Sequence, residues 1–154
     1  MDLRFAPADP AAPPAADLIE RMVVEVGALY GGRIDREGLP KAGPAELSPP
    51  GGGCLVGWLD GEPVAVGGVK DLGGGAAEIK RMYVVPEARG RGVARALLAA
   101  LEDLARSLGH HVARLDTGEH QPGARRLYEA AGYAAVGNFN ANPVAAWWGE
   151  KRLG

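Results

Sequence analysis

The chain has 154 residues, enough for one domain with a real core and too few for two ordinary ones. Its 17 basic and 19 acidic side chains leave a net charge of −2, so composition gives a nucleic-acid partner no support. The single cysteine, Cys54, excludes an intramolecular disulfide and a cysteine-rich zinc site, and its apolar neighbours make it a packing thiol. No run approaches membrane-spanning length, and the opening "MDLRFAPADPAAPPAADL" lacks the apolar core of a signal peptide. The expectation is a soluble, cytoplasmic protein without a membrane partner.

In chain order, "LRFA" (Leu3–Ala6) reads as a short first strand, followed by a proline-rich connection. From Ala15 to Tyr30, Leu18, Met22, Val26 and Leu29 recur at helical spacing. Gly31 to Gly53 forms a long irregular loop with room for one helical turn, and loops of that length in small domains tend to be functional or mobile. Two apolar runs around Asp60-Gly61 predict a hairpin, and a second turn at Leu72–Gly75 leads into the strand "AAEIKRMYVV". Val93, Leu97, Leu98, Leu101, Leu104 and Leu108 then line one face of a long helix that Gly109 is placed to end. His111–Gly118 reads as a strand and Gln121–Ala131 as a helix closed by Gly132, with Pro122 acceptable in its first turn. "YAAVGNF" and "AAWWGEKRL" supply two final strands. The fold class expected is α+β, a single domain over residues 1–154 with a mixed, largely antiparallel sheet flanked by helices (β-α-loop-β-β-β-α-β-α-β-β).

The segment "VPEARGRGVARALL" places two glycines and three arginines at the mouth of the long helix. A helix start leaves N–H groups unpaired and carries about half a positive charge. Glycines in the preceding turn let a ligand touch those groups, so strand, glycine turn and helix make a sensible phosphate cradle. A plain strand-to-helix turn with solvated arginines would share this pattern. The nucleoside triphosphate motif G-x-x-x-x-G-K-[ST] is absent, and "GRGVAR" puts Arg95 where the dinucleotide fingerprint needs its last glycine.

The wider string resembles the acetyl-CoA-binding signature of the GNAT N-acetyltransferase superfamily, R/Q-x-x-G-x-G/A, here Arg89-Gly90-Arg91-Gly92-Val93-Ala94. Downstream, "QPGARRLYEAAGY" is similar to a second family motif, N-x-x-A-x-x-L-Y-x-x-x-G-F/Y. Gln121 stands where asparagine is commonest, while Ala124, Leu127, Tyr128, Gly132 and Tyr133 fit. The resemblance implies a GNAT-type fold and acetyl-CoA as cosubstrate, with its pyrophosphate on the backbone N–H groups of Arg89 through Ala94. It also implies a pantetheine arm lying along the fourth strand at Met82, Tyr83 and Val84, through peptide atoms rather than side chains.

Acetyl transfer needs a neutral amine, a donor for the carbonyl oxygen and a proton for the departing thiolate. By the resemblance, Tyr128 is the expected proton donor; its other reading is a core tyrosine hydrogen-bonded at one end. Glu78, eleven residues before Arg89, matches the offset of the catalytic glutamate in histone-type members and is the candidate general base. A solvated Glu78, or one paired with Lys80 on the same strand face, is the competing reading. The resemblance makes the Met82 N–H the carbonyl donor. His110 and His111 project to opposite strand faces and His120 lies in a turn, so no metal is expected.

The resemblance places the acceptor site between Leu29–Pro50 and Asn138–Trp148. Tyr30, Phe139, Trp147 and Trp148 are candidate pocket walls, and Glu25, Asp35 and Glu37 candidate attractors of a cationic amine. The expected reaction is transfer of acetyl from acetyl-CoA to a primary amine of a small molecule or peptide, by direct attack in a ternary complex. A non-catalytic acyl-CoA-binding sensor is the alternative. Family members are often homodimers, and the sequence leaves the oligomeric state open.

Overall fold

The computed structural model describes residues 1–154. Its strands are β1 (Leu3–Pro7), β2 (Gly53–Leu59), β3 (Glu62–Gly73), β4 (Ala76–Val84), β5 (Val112–Thr117), β6 (Ala134–Ala135) and β7 (Trp147–Arg152). Its helices are α1 (Ala15–Leu29), α2 (Val93–Ser107) and α3 (Pro122–Ala130), with a 3₁₀ turn at Pro86–Ala88. The strands form one sheet in the order β1-β2-β3-β4-β5-β7-β6, antiparallel throughout except between β4 and β5. The α+β class and the element order expected from the sequence are both present.

Asp60 and Gly61 carry φ of 50° and 86°, the left-handed pair that a tight hairpin between β2 and β3 requires. In α2, Leu97, Leu98 and Leu101 are 0–1% exposed, each burial worth about 1.5–3 kcal/mol. Gly109 ends that helix: its own N–H donates to Arg106 O and the His110 N–H donates to Ala105 O, each at 3.0 Å. Neighbouring β3 glycines show how the sheet is covered. A Cβ on Gly67 would meet Leu101 of α2, whereas one on Gly68 would meet Leu47 from the loop after α1. Successive strand residues face opposite ways, so α2 and the α1 loop lie on opposite faces.

Two expectations need correction, those for Leu29 and for the strand after Tyr133, while the loop after α1 agrees. Leu29 is 48% exposed, and Val23 takes a core place in α1 instead. The loop after α1 is irregular, as expected, with single turns closed by Leu47 N–H to Gly43 O and Gly52 N–H to Ser48 O, and buried Ile34, Ala42 and Leu47 fasten the segment to the core. The strand expected from Tyr133 to Phe139 shrinks to Ala134–Ala135. There the asparagine side chains compete for the backbone: Asn138 Oδ1 accepts from the N–H groups of Asn140 and Ala141, and Asn142 Oδ1 from that of Val144.

Candidate active site

β4 pairs with β5 only at Ala76–Val112, Ala77–Ala113 and Glu78–Arg114. Beyond Glu78 the two strands part, leaving the edge of β4 from Ile79 to Val84 without a neighbouring strand. An unpaired edge inside a sheet offers main-chain groups to an extended ligand. The register against β3 also slips here, so that Gly67 faces both Arg81 and Met82. This is a β-bulge, and Arg81 sits in it with φ of 58°.

At the mouth of the notch lies a cavity of about 100 Å³. Met22 and Val26 of α1, with Tyr30 just past its end, wall one side, Ile79–Met82 and Asp116–Gly118 the strand ends, and Tyr128 is also part of the lining. The Tyr128 ring packs 6.4 Å from that of Trp147 and 6.2 Å from that of Tyr133, which fixes its direction. Burial, and secondarily the charge of Asp116, push its phenol above the ordinary range, so it stays protonated. Tyr30 is anchored by donating to Gln121 Oε1 at 3.1 Å and accepting from the His120 N–H at 3.2 Å. Gly118 permits this arrangement, because a Cβ there would lie 1.9 Å from the Tyr30 hydroxyl oxygen.

A second concavity, about 300 Å³, lies over the start of α2 and is lined by Val84, Ala88, Arg89, Gly90, Gly92–Arg95 and Leu127. Gly90 and Gly92 carry φ of 79° and 80°, and space is open where a Cβ would stand on either. None of the amides from Gly90 through Arg95 donates to a carbonyl or side chain of the protein, and α2 has no side-chain cap. Consecutive free N–H groups at a helix start fit a diphosphate. The Arg89 side chain points elsewhere: its Nε donates to Val84 O at 2.9 Å and its Nη2 to Glu25 Oε2. Tyr83 donates to the other Glu25 oxygen at 2.9 Å. Burial acts against the Glu25 charge, but the Arg89 and Tyr83 hydrogen bonds outweigh it and hold the carboxyl below its ordinary range.

Other expected site residues are placed differently. Glu78 is 0% exposed and absent from the cavity wall; its Oε2 lies 3.2 Å from Lys80 Nζ and accepts from Asn140 Nδ2 at 2.9 Å. Its pairing with Lys80 follows the competing reading, in a buried setting rather than on the surface. Phe139 stacks under Arg114, Trp147 packs in the core, and Trp148 donates to Asn140 Oδ1 at 3.0 Å, so none of the three walls the cavity. Glu25 is held by Tyr83 and Arg89, and Asp35 by Arg33 at 2.9 Å. Asp35 and Glu37 line a separate cavity of about 640 Å³ against the first half of α1.

Two further residues, Asp116 and Arg81, line the cavity at the mouth of the notch. Asp116 Oδ2 accepts from Asn140 Nδ2 at 2.6 Å and Asn142 Nδ2 at 3.1 Å, while its Oδ1 has no partner in the chain. Arg81 lines the cavity from the bulge in β4. An acid ending a strand opposite the "LY" helix was the available signal for Asp116; the bulge that turns Arg81 inward left none.

Residues 27–133 match the model of the acetyltransferase (GNAT) family. The chain is 33% identical over 127 residues to the IAA acetyltransferase of Azospirillum brasilense, covering 82% of this chain and 83% of that one. Its fold is similar to that of a GNAT-family acetyltransferase from Staphylococcus aureus, with TM-score 0.79 and 14% identity over 99% of this chain and 100% of the other. It is also similar to a GNAT-family acetyltransferase from Elizabethkingia anophelis with acetyl-CoA bound, with TM-score 0.68 and 13% identity over 97% of both chains. With its splayed fourth and fifth strands and its glycine turn at the helix mouth, the chain belongs to the acetyltransferase (GNAT) family.

Proposed function

We propose that the protein transfers the acetyl group of acetyl-CoA to a primary amine by direct attack within a ternary complex. The observation that carries this reading is the alignment of three features: the free amides of Gly90–Arg95, the unpaired edge of β4, and Tyr128 at the cavity between β4 and β5. The amides hold the pyrophosphate, and the main chain of Met82, Tyr83 and Val84 pairs with the pantetheine arm. Arg91 and Arg95 add positive charge beside the turn, whereas Arg89 braces it against α1. The acetyl-CoA-bound neighbour from Elizabethkingia anophelis supports this choice of cosubstrate.

In the reaction a neutral amine attacks the thioester carbonyl, a C–N bond forms and the C–S bond breaks. The Met82 N–H donates to the carbonyl oxygen as negative charge develops there. The amine proton passes to Asp116 Oδ1, directly or through water, and the leaving sulfur takes its proton from Tyr128. A phenol held above its ordinary range is a reluctant acid, so its contribution is greatest when the sulfur carries most charge. Glu78 acts at one remove: it holds Asn140, which in turn holds Asp116. Cys54, 4% exposed and pushed up to about 11 by burial, takes no part, so no acetyl-cysteine intermediate is needed.

Release of CoA from acetyl-CoA, measured with a panel of primary amines, tests the proposal. Amine-dependent release with formation of an N-acetyl product is the expected result. Tight CoA binding without turnover on any amine would replace the enzyme with an acyl-CoA sensor.

A further inference from the structure

Charge in and around the reaction cavity is mostly paired. Lys80 is taken by Glu78 at 3.2 Å, and Asp35 by Arg33 at 2.9 Å. Of the three charged side chains that line the cavity itself, two of opposite sign remain, Asp116 and Arg81. Asp116 keeps one oxygen without a partner, as described above. Arg81 is 9% exposed, yet its only side-chain hydrogen bond runs from Nε to Ala42 O at 3.5 Å, and it makes no salt bridge. A buried guanidinium presents five donors and ordinarily meets a carboxylate in a two-pronged fashion.

Nor is the guanidinium sealed away. The buried side-chain polar atoms without a partner are Glu78 Oε1, Thr117 Oγ1 and Trp147 Nε1. The Arg81 Nη atoms are not among them, so they keep some exposure, and Arg81 lines both cavities. Burial lowers the Arg81 pKa, and Asp35, Asp116 and Glu78 oppose that at longer range without forming a pair. The left-handed φ of 58° at Arg81 is costly for a residue with a Cβ, and it is the bulge that sets this residue at the notch. Strain and an unpaired buried charge at one residue beside a reaction cavity call for a ligand group that relieves the second.

We propose that Arg81 reads a carboxylate on the acceptor, and that the acceptor is a small zwitterionic amino acid, its amine at Asp116 and its carboxylate at Arg81. This rests on the acetyl-transfer reading and narrows its substrate class. The two cavities meet at Arg81, Leu39 and Pro40, so a side chain on such an acceptor has space beyond the guanidinium. A primary amine without a carboxylate would leave Arg81 buried and unsatisfied in the ternary complex.

The test compares each of a panel of free L-amino acids with its own α-amide, which keeps the amine and side chain and removes the negative charge. CoA release gives kcat/KM for the native protein and for Arg81→Gln and Arg81→Lys, and CoA titration gives cofactor affinity for each. At least one acid is expected to exceed its amide by about 100-fold or more in the native protein. Arg81→Gln is expected to bring that ratio to within about 5-fold by loss of the acid alone, with CoA affinity unchanged. The acid-to-amide ratio is internal to each variant; should Arg81→Gln fail to fold, Arg81→Lys carries the test and is expected to lose about 10-fold of the preference, since an ammonium cannot match the bidentate contact. Amides acetylated as well as acids, or a preference that survives the substitutions, would overturn the role of Arg81 and leave acetyl transfer standing. CoA binding with no transfer to any amine would overturn both.

Discussion

Gly92 and Gly109 sit at opposite ends of α2 in the same strained geometry, with φ of 80° and 92° and open space where a Cβ would stand. Alanine at either position therefore meets no clash, and the cost is the left-handed backbone alone, about 1–2 kcal/mol. At about 2–4 °C per kcal/mol for a chain of this size, each variant should lose roughly 2–8 °C in Tm. The two must part in ligand binding. The methyl of Gly92→Ala projects into the concavity lined by Gly90, Gly92 and Val93, in front of free amides. Loss of one hydrogen bond to a charged phosphate costs about 1.5–3 kcal/mol, so Kd for CoA should rise roughly 10- to 150-fold. Gly109→Ala should bind CoA like the native protein. Calorimetric titration with CoA, paired with thermal unfolding of both variants, gives all the numbers. Equal CoA affinity in the two variants, with equal losses in Tm, would refute the cradle.

Tyr128→Phe should lower kcat by about 10²–10⁴ with little change in the KM for acetyl-CoA, and near-native turnover would remove Tyr128 from the chemistry. Because burial raises the Tyr128 pKa in the folded state, its neutral form stabilises the protein fully below the unfolded tyrosine value of about 10, and that contribution fades as pH rises further. The rate profile should therefore show no loss from this phenol below about pH 10, and Tyr128→Phe should blunt the alkaline fall in stability. Glu78→Gln breaks a buried pair with Lys80 and should cost about 3–5 kcal/mol in denaturant unfolding; an unchanged midpoint would contradict the buried pairing. Gly118→Ala drives a Cβ into the Tyr30 hydroxyl, so acceptor KM should rise while CoA affinity holds, as kinetics and titration can check. With its pKa at about 11, Cys54 should resist thiol reagents at pH 8 in the folded protein and react fully in denaturant.

What the sequence disclosed was mostly local. The leucine stripe of α2, its closing Gly109 and the Asp60-Gly61 hairpin depend on residues a few places apart, and each appears where its pattern put it. The glycine turn was legible for the same reason, since free amides follow from a helix start and two glycines. Glu78 was placed on the right strand, but its burial is decided by Asn140, 62 residues away, and no local pattern carries that. The alternation in "YAAVGNF" suggested a strand, yet the ladder stops at Ala135, and Asn138 bonds the N–H groups of Asn140 and Ala141 in a turn just beyond that string. Arg81 and Asp116 come to line one cavity because β4 bulges and parts from β5, a tertiary event that lies outside any single segment.

Acetyl transfer as proposed requires that the amides between β4 and α2 hold the diphosphate of CoA. Backbone amide resonances followed during titration with CoA, and separately with inorganic pyrophosphate, test it most directly. The signals of Gly90 through Arg95 should move with both ligands, and those of Met82–Val84 with CoA alone. Saturating CoA that leaves the Gly90–Arg95 signals unmoved, while shifting others, would contradict it.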